Sequence, residues 1–163
     1  MTVVNGLPAH ALLLHFVVVL VPLTALLEIV CAVWPAARRG QLLWLTLILA
    51  IVSMVLTPIT VSAGSWLYDL RRNPTATLRE HAALGSVMTY FVVALLAAAT
   101  LLVALRVIER RSDGRRTLIH IVVALMVFGV AISSMIQVYR VGDAGARSVW
   151  GGEIARLKKI NGT

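Results

Sequence analysis

Four uninterrupted apolar runs constrain the fold of this chain of 163 residues more than any other feature of its sequence. A bilayer core is about 30 Å thick, and a helix needs roughly 20 apolar residues to cross it. Lipid offers no partner for backbone N–H and C=O groups, which a helix satisfies internally. The sequence therefore predicts an all-α integral membrane four-helix bundle, forming one transmembrane domain over residues 1–163. The predicted spans are 9–33, 42–68, 82–105 and 117–139.

Charged residues are few and lie mostly between the apolar runs. Hydrophobic residues make up 60% of the chain and charged residues 13%, whereas a soluble domain carries roughly 25% charged residues. The net charge of +8 is therefore interpreted as basic loops that meet lipid headgroups. The sequence has no basic face interleaved with aromatic residues, so nucleic acid is excluded as a partner. The single cysteine, Cys31, is predicted to be a small core hydrophobe.

An even number of spans places both termini on one side of the membrane. We name side A the side with the termini and the loop 69–80, and side B the side with the loops around 38–39 and 106–116. Near the membrane, side B has seven Lys and Arg residues and side A has five. The positive-inside rule then predicts that side B is cytoplasmic and that the termini are extracytoplasmic.

The basic C-terminal tail, residues 140–163, allows two interpretations. Four of its apolar residues fall on one side of a helix, and such a face can lie on a membrane surface. Glycines 151–152 weaken the helix, which favours a frayed tail instead. The sequence leaves both alternatives open. The four apolar residues are Trp150, Ile154, Leu157 and Ile160.

Polar and small residues within the spans recur at helical spacing. Lipid does not solvate polar groups, so these residues are expected to face the bundle interior, where small residues also let helices approach closely. The stripes predict a compact bundle with a partly polar interior. They are His10, Thr24 and Glu28 on span one; Thr46, Ser53, Thr57, Thr60 and Gly64 on span two; His81, Gly85 and Thr89 on span three; and Gly129, Ser133, Gln137 and Arg140 on span four.

Glu28 is the costliest of these residues to bury. An unpaired charge in the middle of a bilayer costs about 3 kcal/mol. Arg106, at the end of span three, and His120, early in span four, are predicted to lie at a similar depth. We expect Glu28 to form an intramembrane ion pair with one of them. Such a pair either locks the bundle or takes part in a proton relay.

Three of the four histidines gather at side A. His10 and His15 are about 140° apart around a helix, so they do not easily share one small metal ion. Two histidines on facing helices can instead bind a haem iron axially, and His81 with His15 or His10 has the right relation. The alternative is that these interfacial histidines bond to loops. The other residues predicted around a haem b are Gly64 and Gly85, which would leave room for a flat ring, and Arg71, Arg72 and Arg79, which would meet its propionates.

Several short motifs resemble one known family. The opening NGLPAH is followed by LLLHF, which places a second histidine five residues after the first. Together with GSWL at 64–67, HAALG at 81–85 and VYRVG at 138–142, it resembles the family catalogued as domain of unknown function 2231. The later motif DAGAR and Trp150 look like the actinobacterial branch of that family. The resemblance extends to about residue 152.

The resemblance implies a four-helix protein of the bacterial cytoplasmic (inner) membrane with no assigned activity. Some relatives are joined to iron–sulfur or other redox modules, which favours the haem hypothesis. Many relatives have an acidic residue where Gln137 stands and a histidine where Val141 stands. A function that uses those groups therefore does not carry over to this chain.

Three functions are compatible with these features. The favoured one is a non-catalytic accessory or assembly subunit of a larger envelope or respiratory complex, with the lipid bilayer and other membrane proteins as partners. The sequence has no metal-cluster motif, phosphate loop or nucleophile constellation, so no catalytic residue is predicted. The second function is a b-type haem protein that passes electrons. The third, a channel or small transporter, has less support because four spans are few to enclose a path.

Overall fold

A computed structural model describes residues 3–4, 6–111 and 117–161, most of which are helical. Four helices are long and apolar enough to cross a membrane, so the all-α membrane bundle is confirmed. Residues 112–116 of the predicted side B loop and the last two residues of the tail lie outside the described residues. The helices are α1 (Ala9–Val33), α2 (Pro35–Arg39), α3 (Leu42–Asp69), α4 (Ala76–Arg111) and α5 (Thr117–Asn161).

A short antiparallel ribbon precedes α1. Strand β1 (Val3–Val4) pairs with strand β2 (Leu7–Pro8). Gly6 turns the chain between them with a φ of +82°, a conformation that glycine adopts at no steric cost. The ribbon leads the chain directly into the first turn of α1.

Helices α4 and α5 extend well beyond the predicted spans, whereas α1 and α3 have nearly the predicted bounds. Helix α5 continues 22 residues past Tyr139, through Gly151 and Gly152. Hydropathy marks where a helix leaves the lipid rather than where the helix ends, because good helix formers continue the helix in water. At 1.5 Å per residue, α5 is about 67 Å long, roughly twice the thickness of a bilayer core.

The four long helices pack in a ring in which α1 lies beside α3, α3 beside α4, α4 beside α5 and α5 beside α1. Helices α1 and α4 therefore face each other across the diagonal. Two apolar clusters fill the interior, one around Val21 and Val92 towards side A and one around Leu43 and Leu102 towards side B. Cys31 is fully buried in the second cluster, as predicted.

The polar stripes of α1 and α3 face the interior, as predicted. Thr24 and Glu28 on α1 are buried, and so are the four hydroxyl-bearing residues of the α3 stripe. The bundle places these groups away from lipid, which cannot solvate them. The α3 residues are Thr46, Ser53, Thr57 and Thr60.

The stripe predicted for span four is wrong except at one position. Gly129, Ser133 and Arg140 are exposed, and only Gln137 is buried. The buried face of α5 is rotated by about one residue and includes Ser134 in place of Ser133. That face also carries the aliphatic side chains that fill the two apolar clusters, so packing decided the rotation.

Apolar side chains also cover the outside of the bundle. Phe16, Val19, Ile48 and Leu125 are each more than half exposed. In water such a surface would be a liability for aggregation, whereas lipid tails solvate it. The outer surface therefore supports a multi-pass membrane protein with a lipid bilayer around it.

Candidate functional site

His10 lies in the first turn of α1 and packs against α3. Its Nδ1 donates a hydrogen bond to the carbonyl oxygen of Thr60 at 2.8 Å. Gly64 makes room for the ring, because a Cβ at that position would lie 2.8 Å from the Cε1 and Nδ1 atoms of His10. A carbonyl oxygen only accepts, so Nδ1 carries the hydrogen and Nε2 keeps a lone pair.

His81, near the start of α4, has the same arrangement against α5. Its Nδ1 donates to the carbonyl oxygen of Val141 at 3.0 Å. A Cβ on Gly145 would lie 3.0 Å from its Cε1. Here too, Nε2 keeps the lone pair. Helices α3 and α5 thus each supply one glycine and one carbonyl that hold an imidazole in a single orientation and tautomer.

His10 and His81 meet across the diagonal of the bundle at side A. Their ring centroids are 6.1 Å apart and their planes are 75° to each other. A metal between two imidazoles, with metal–nitrogen bonds of about 2.0–2.1 Å, holds the ring centroids roughly 6 Å apart. Histidines that bind metals also usually donate their other N–H to a carbonyl or carboxylate. The ring separation and the Nδ1 hydrogen bonds of the pair match these two features. Among the described residues, no group of three or more His, Cys, Asp or Glu could hold a metal ion.

The structure places the other residues predicted near a haem in different surroundings. His15 bonds to a carbonyl of its own helix at 2.7 Å and is exposed, so of the two candidates it is His10 that lies beside His81. The His10 ring itself fills the space over Gly64. At Gly85, nothing lies within 4 Å of where a Cβ would be. Of the two predicted glycines, only Gly85 thus has open space beside it.

The predicted propionate partners form a basic rim at side A. Arg71, Arg72 and Arg79 are exposed, in the loop before α4 and in its first turn. In the part of the chain that the structure describes, none of the three is in an ion pair. Arg147 on α5 instead bridges Glu80 at 3.7 Å and Asp143 at 2.8 Å. The rim thus has cationic groups available to an anion.

A buried ion cluster lies at the opposite end of the bundle, and its acid is Glu109. Arg38 of α2 is 1% exposed and donates to Glu109 Oε1 at 2.5 Å and Oε2 at 3.4 Å. It also donates to the carbonyl oxygens of Cys31 at 2.7 Å and Ala32 at 3.1 Å, in the last turn of α1, where the helix dipole favours a cation. Nε2 of His120 lies 3.0 Å from Glu109 Oε1. The cluster ties α1 and α2 to α4 and α5.

Glu109 lies one turn beyond the apolar run predicted as the third span, 82–105. Burial raises the pKa of Glu109, but the hydrogen bond and charge of Arg38, with the charges of His120 and Arg39, lower it more. The pKa of Glu109 is therefore below its usual value of 4.5. The carboxylate is ionised at neutral pH and supplies the anion of the cluster.

The predicted ion pair of Glu28 with Arg106 or His120 is not formed. Glu28 is fully buried, and neither of its carboxyl oxygens has a hydrogen-bond partner among the described residues. His120 instead lies within ion-pair distance of Glu109. Glu28 lies more than a turn inside the end of α1, whereas Glu109 and His120 lie near the ends of adjacent helices, and this difference in depth separates them.

The roles of Arg38, Glu109 and Gly145 were not predicted from the sequence. Arg38 cannot be told from Arg39 by sequence, because the packing of α2 decides which of two adjacent side chains is buried. Glu109 could have been noticed in the sequence, because it is an acid among the arginines that follow span three. Gly145 becomes recognisable only once the tail is known to be helical.

The chain is a small multi-pass membrane protein of the helical-bundle class. It has four apolar spanning helices, paired imidazoles at one end and a buried ion cluster at the other. The chain belongs to the family of predicted membrane proteins catalogued as domain of unknown function 2231 (DUF2231), which matches residues 6–157. The resemblance seen in the sequence is thereby confirmed. Among curated proteins and among solved structures, no match to this chain is found.

Proposed function

We propose that this protein is a non-catalytic accessory or assembly subunit of a larger membrane complex, and that it contacts its partner through the α5 extension (residues 140–161). The observation that carries the proposal is the length of α5. The α5 extension continues the last predicted span as an unbroken helix for about 33 Å, and its residues 151–161 are all exposed. No other long helix reaches as far past its apolar run within the described residues.

One face of the α5 extension is apolar and uncovered. Trp150, Ile154 and Leu157 are about half exposed or more, and steps of four and three residues place them on one helix face. An unbroken helix carries this face away from the lipid, so a protein groove covers it better than a membrane surface does. Apolar residues at such spacing are the anchors by which helices dock into grooves. The other faces of this segment carry three cations and one acid, so the expected groove has an acidic rim; the cations are Arg156, Lys158 and Lys159, and the acid is Glu153.

Site-specific photo-crosslinking in native membranes tests this proposal. A photoreactive residue at Ile154 is expected to give one discrete protein adduct of stoichiometric yield, while the same residue at Lys159, on the opposite face, gives none. The partner found at Ile154 should co-purify with the wild-type chain and be lost from the Leu157→Ser variant. Lipid adducts alone at Ile154, or a protein that purifies alone at its own mass, would contradict the proposal.

The second candidate function is that of a b-type haem protein, and the 6.1 Å separation of the His10 and His81 rings favours it. A bound haem would supply one-electron transfer. The residues of this chain would hold its iron through two Nε2 lone pairs, whose direction is set by the carbonyl bonds at Nδ1. The basic rim of Arg71, Arg72 and Arg79 would meet the propionates.

The visible absorption spectrum of protein purified from haem-replete cells tests this second candidate. A haem band is expected for the wild type and for His15→Ala, which changes a histidine outside the pair. His10→Ala and His81→Ala are each expected to lose the band. A colourless wild-type preparation, or equal haem content in all four proteins, refutes the assignment.

A further inference from the structure

The interior of the bundle carries a row of buried polar side chains that neither proposed function uses. They come from three helices and line the axis between the two ends. A charged or polar group inside a membrane protein is expensive and therefore points to a function at that site. The row comprises Thr24 and Glu28 on α1, Thr46, Ser53, Thr57 and Thr60 on α3, and Ser134 and Gln137 on α5, none of them more than 5% exposed.

Contacts at both ends define how far the row reaches. At side A, the carbonyl of Thr60 accepts the hydrogen bond of His10. At side B, the hydroxyl of Thr46 lies 3.8 Å from the sulfur of Cys31, whose carbonyl accepts from Arg38. The row thus runs from the histidine pair (His10 and His81) at side A to the ion cluster around Glu109 at side B. Glu28 is the one carboxylic acid within the row.

The hydrogen bonds of the row are complete except in its middle. The hydroxyls of Thr46 and Thr60 each donate at 2.8 Å to the carbonyl four residues earlier. In contrast, the hydroxyls of Ser53 and Thr57 and both oxygens of Glu28 have no partner among the described residues. Buried polar atoms in proteins are almost always bonded to protein or to ordered water. These exceptions lie on the neighbouring helices α1 and α3 and therefore indicate water inside the bundle.

Pro58 adds a further acceptor at the same depth. It lies inside α3 and has no N–H, so the carbonyl of Met54 lacks its usual helical donor. A buried water needs two to four polar partners, and the hydroxyls of Ser53 and Thr57 with this carbonyl provide three. The turn of α3 before Pro58 is thus suited to hold water between Glu28 and the end of the row at Thr60.

The charges around Glu28 differ between the two ends. Towards side B lie the buried cation Arg38 on α2, Cys31 on α1, and Glu109 with His120 on α4 and α5. The Arg38 guanidinium stays protonated, has no acceptor and makes its hydrogen bonds to Glu109 and the end of α1, so it does not relay protons. Towards side A, the described residues are neutral hydroxyl and amide groups and then the histidine pair (His10 and His81). Access to Glu28 is therefore easier from side A.

We propose that Glu28 is a proton-binding site inside the membrane, and that water held by Ser53 and Thr57 connects it to the histidine pair at side A. Glu28 is a neutral carboxylic acid at neutral pH, because an ion there would have neither solvent nor a counter-charge. Arg38 closes the route at side B. The protonation of Glu28 depends neither on the docking of α5 nor on haem, so this inference can fail while those proposals stand.

Infrared spectroscopy of the protein in lipid nanodiscs tests the protonation of Glu28. The carbonyl stretch of a buried carboxylic acid is expected at pH 7 in the wild type and absent from Glu28→Gln. Glu28→Asp, which keeps an acid at the site if the Gln variant fails to fold, is expected to shift the band. A wild-type spectrum without a carboxylic acid band, or a band that Glu28 variants leave unchanged, overturns the proposal.

Transfer of the same samples into ²H₂O tests the water route. The rate at which the carboxylic acid band shifts measures proton exchange at Glu28. Ser53→Ala/Thr57→Val is expected to slow this exchange roughly tenfold, since it removes both hydroxyls that hold the water. The matched control is Thr46→Val, a buried threonine of the same helix on the side B flank, and its rate should equal that of the wild type. Equal slowing by both variants, or by neither, refutes the route.

Discussion

Removing Arg38 should destabilise this protein more than removing any other cation at side B. The guanidinium makes four hydrogen bonds, two to Glu109 and two to the last turn of α1. The side chains of Arg38 and Glu109 are 2% and 10% exposed. In Arg38→Met, both the carboxylate of Glu109 and the end of α1 lose their counter-charge.

The structure sets the size of the effect. Breaking a buried ion pair costs about 3–5 kcal/mol. His120 remains beside Glu109 and is partly exposed, so we expect the lower end, about 3 kcal/mol, for Arg38→Met. Glu109→Met leaves the Arg38 charge with two carbonyls and should cost about 2 kcal/mol. The double variant removes both charges, so its loss should be about 2 kcal/mol smaller than the sum of the single losses.

Denaturant titration in detergent micelles, followed by circular dichroism, measures these free energies of unfolding. The matched control is Arg39→Met, because Arg39 is the adjacent arginine and is exposed; it should change stability by less than about 0.5 kcal/mol. A coupling energy under about 0.5 kcal/mol in the double-mutant cycle, or equal losses for Arg38 and Arg39, would refute the reasoning.

Three further predictions concern the glycines and the response to acid. Gly64→Ala places a Cβ 2.8 Å from the His10 ring and should destabilise the protein by about 1–2 kcal/mol. Gly85→Ala should instead stabilise it by up to about 1 kcal/mol, because the space there is open and alanine has the higher helix propensity. Thermal unfolding measures both changes. Gly145→Ala, at 3.0 Å, should have a smaller effect than Gly64→Ala, and a larger one would contradict the packing. The folded-state pKa of Glu109 is below 4.5, so its ion pair stabilises the fold above that pH and this stabilisation is lost as the pH falls further. Unfolding measured between pH 7 and 3 should show the loss in the wild type and not in Glu109→Gln.

Much of the candidate site could be anticipated, but its pairings could not. The inward positions of Thr24, Glu28 and the α3 stripe follow from helical periodicity, which depends only on residues close in the sequence. They also follow from the absence of water in lipid, which applies to every membrane protein. The choice of His10 over His15 as the neighbour of His81 depends on the rotation of α1. Sequence places both residues near the same end, and their difference of about 140° around the helix is resolved only by what packs against each face.

The sequence by itself determined the number of spans, their helical state and the side of the membrane that the three histidines share. Each of these follows from runs of apolar residues, because a bilayer demands about 20 of them per crossing and satisfied backbone groups within each. The tertiary structure alone decided that Glu109 rather than Glu28 is ion-paired, that Ser134 rather than Ser133 is buried, and that α5 continues to Asn161. These outcomes depend on helix rotation and depth. Both are set by side chains of neighbouring helices that are distant in the sequence.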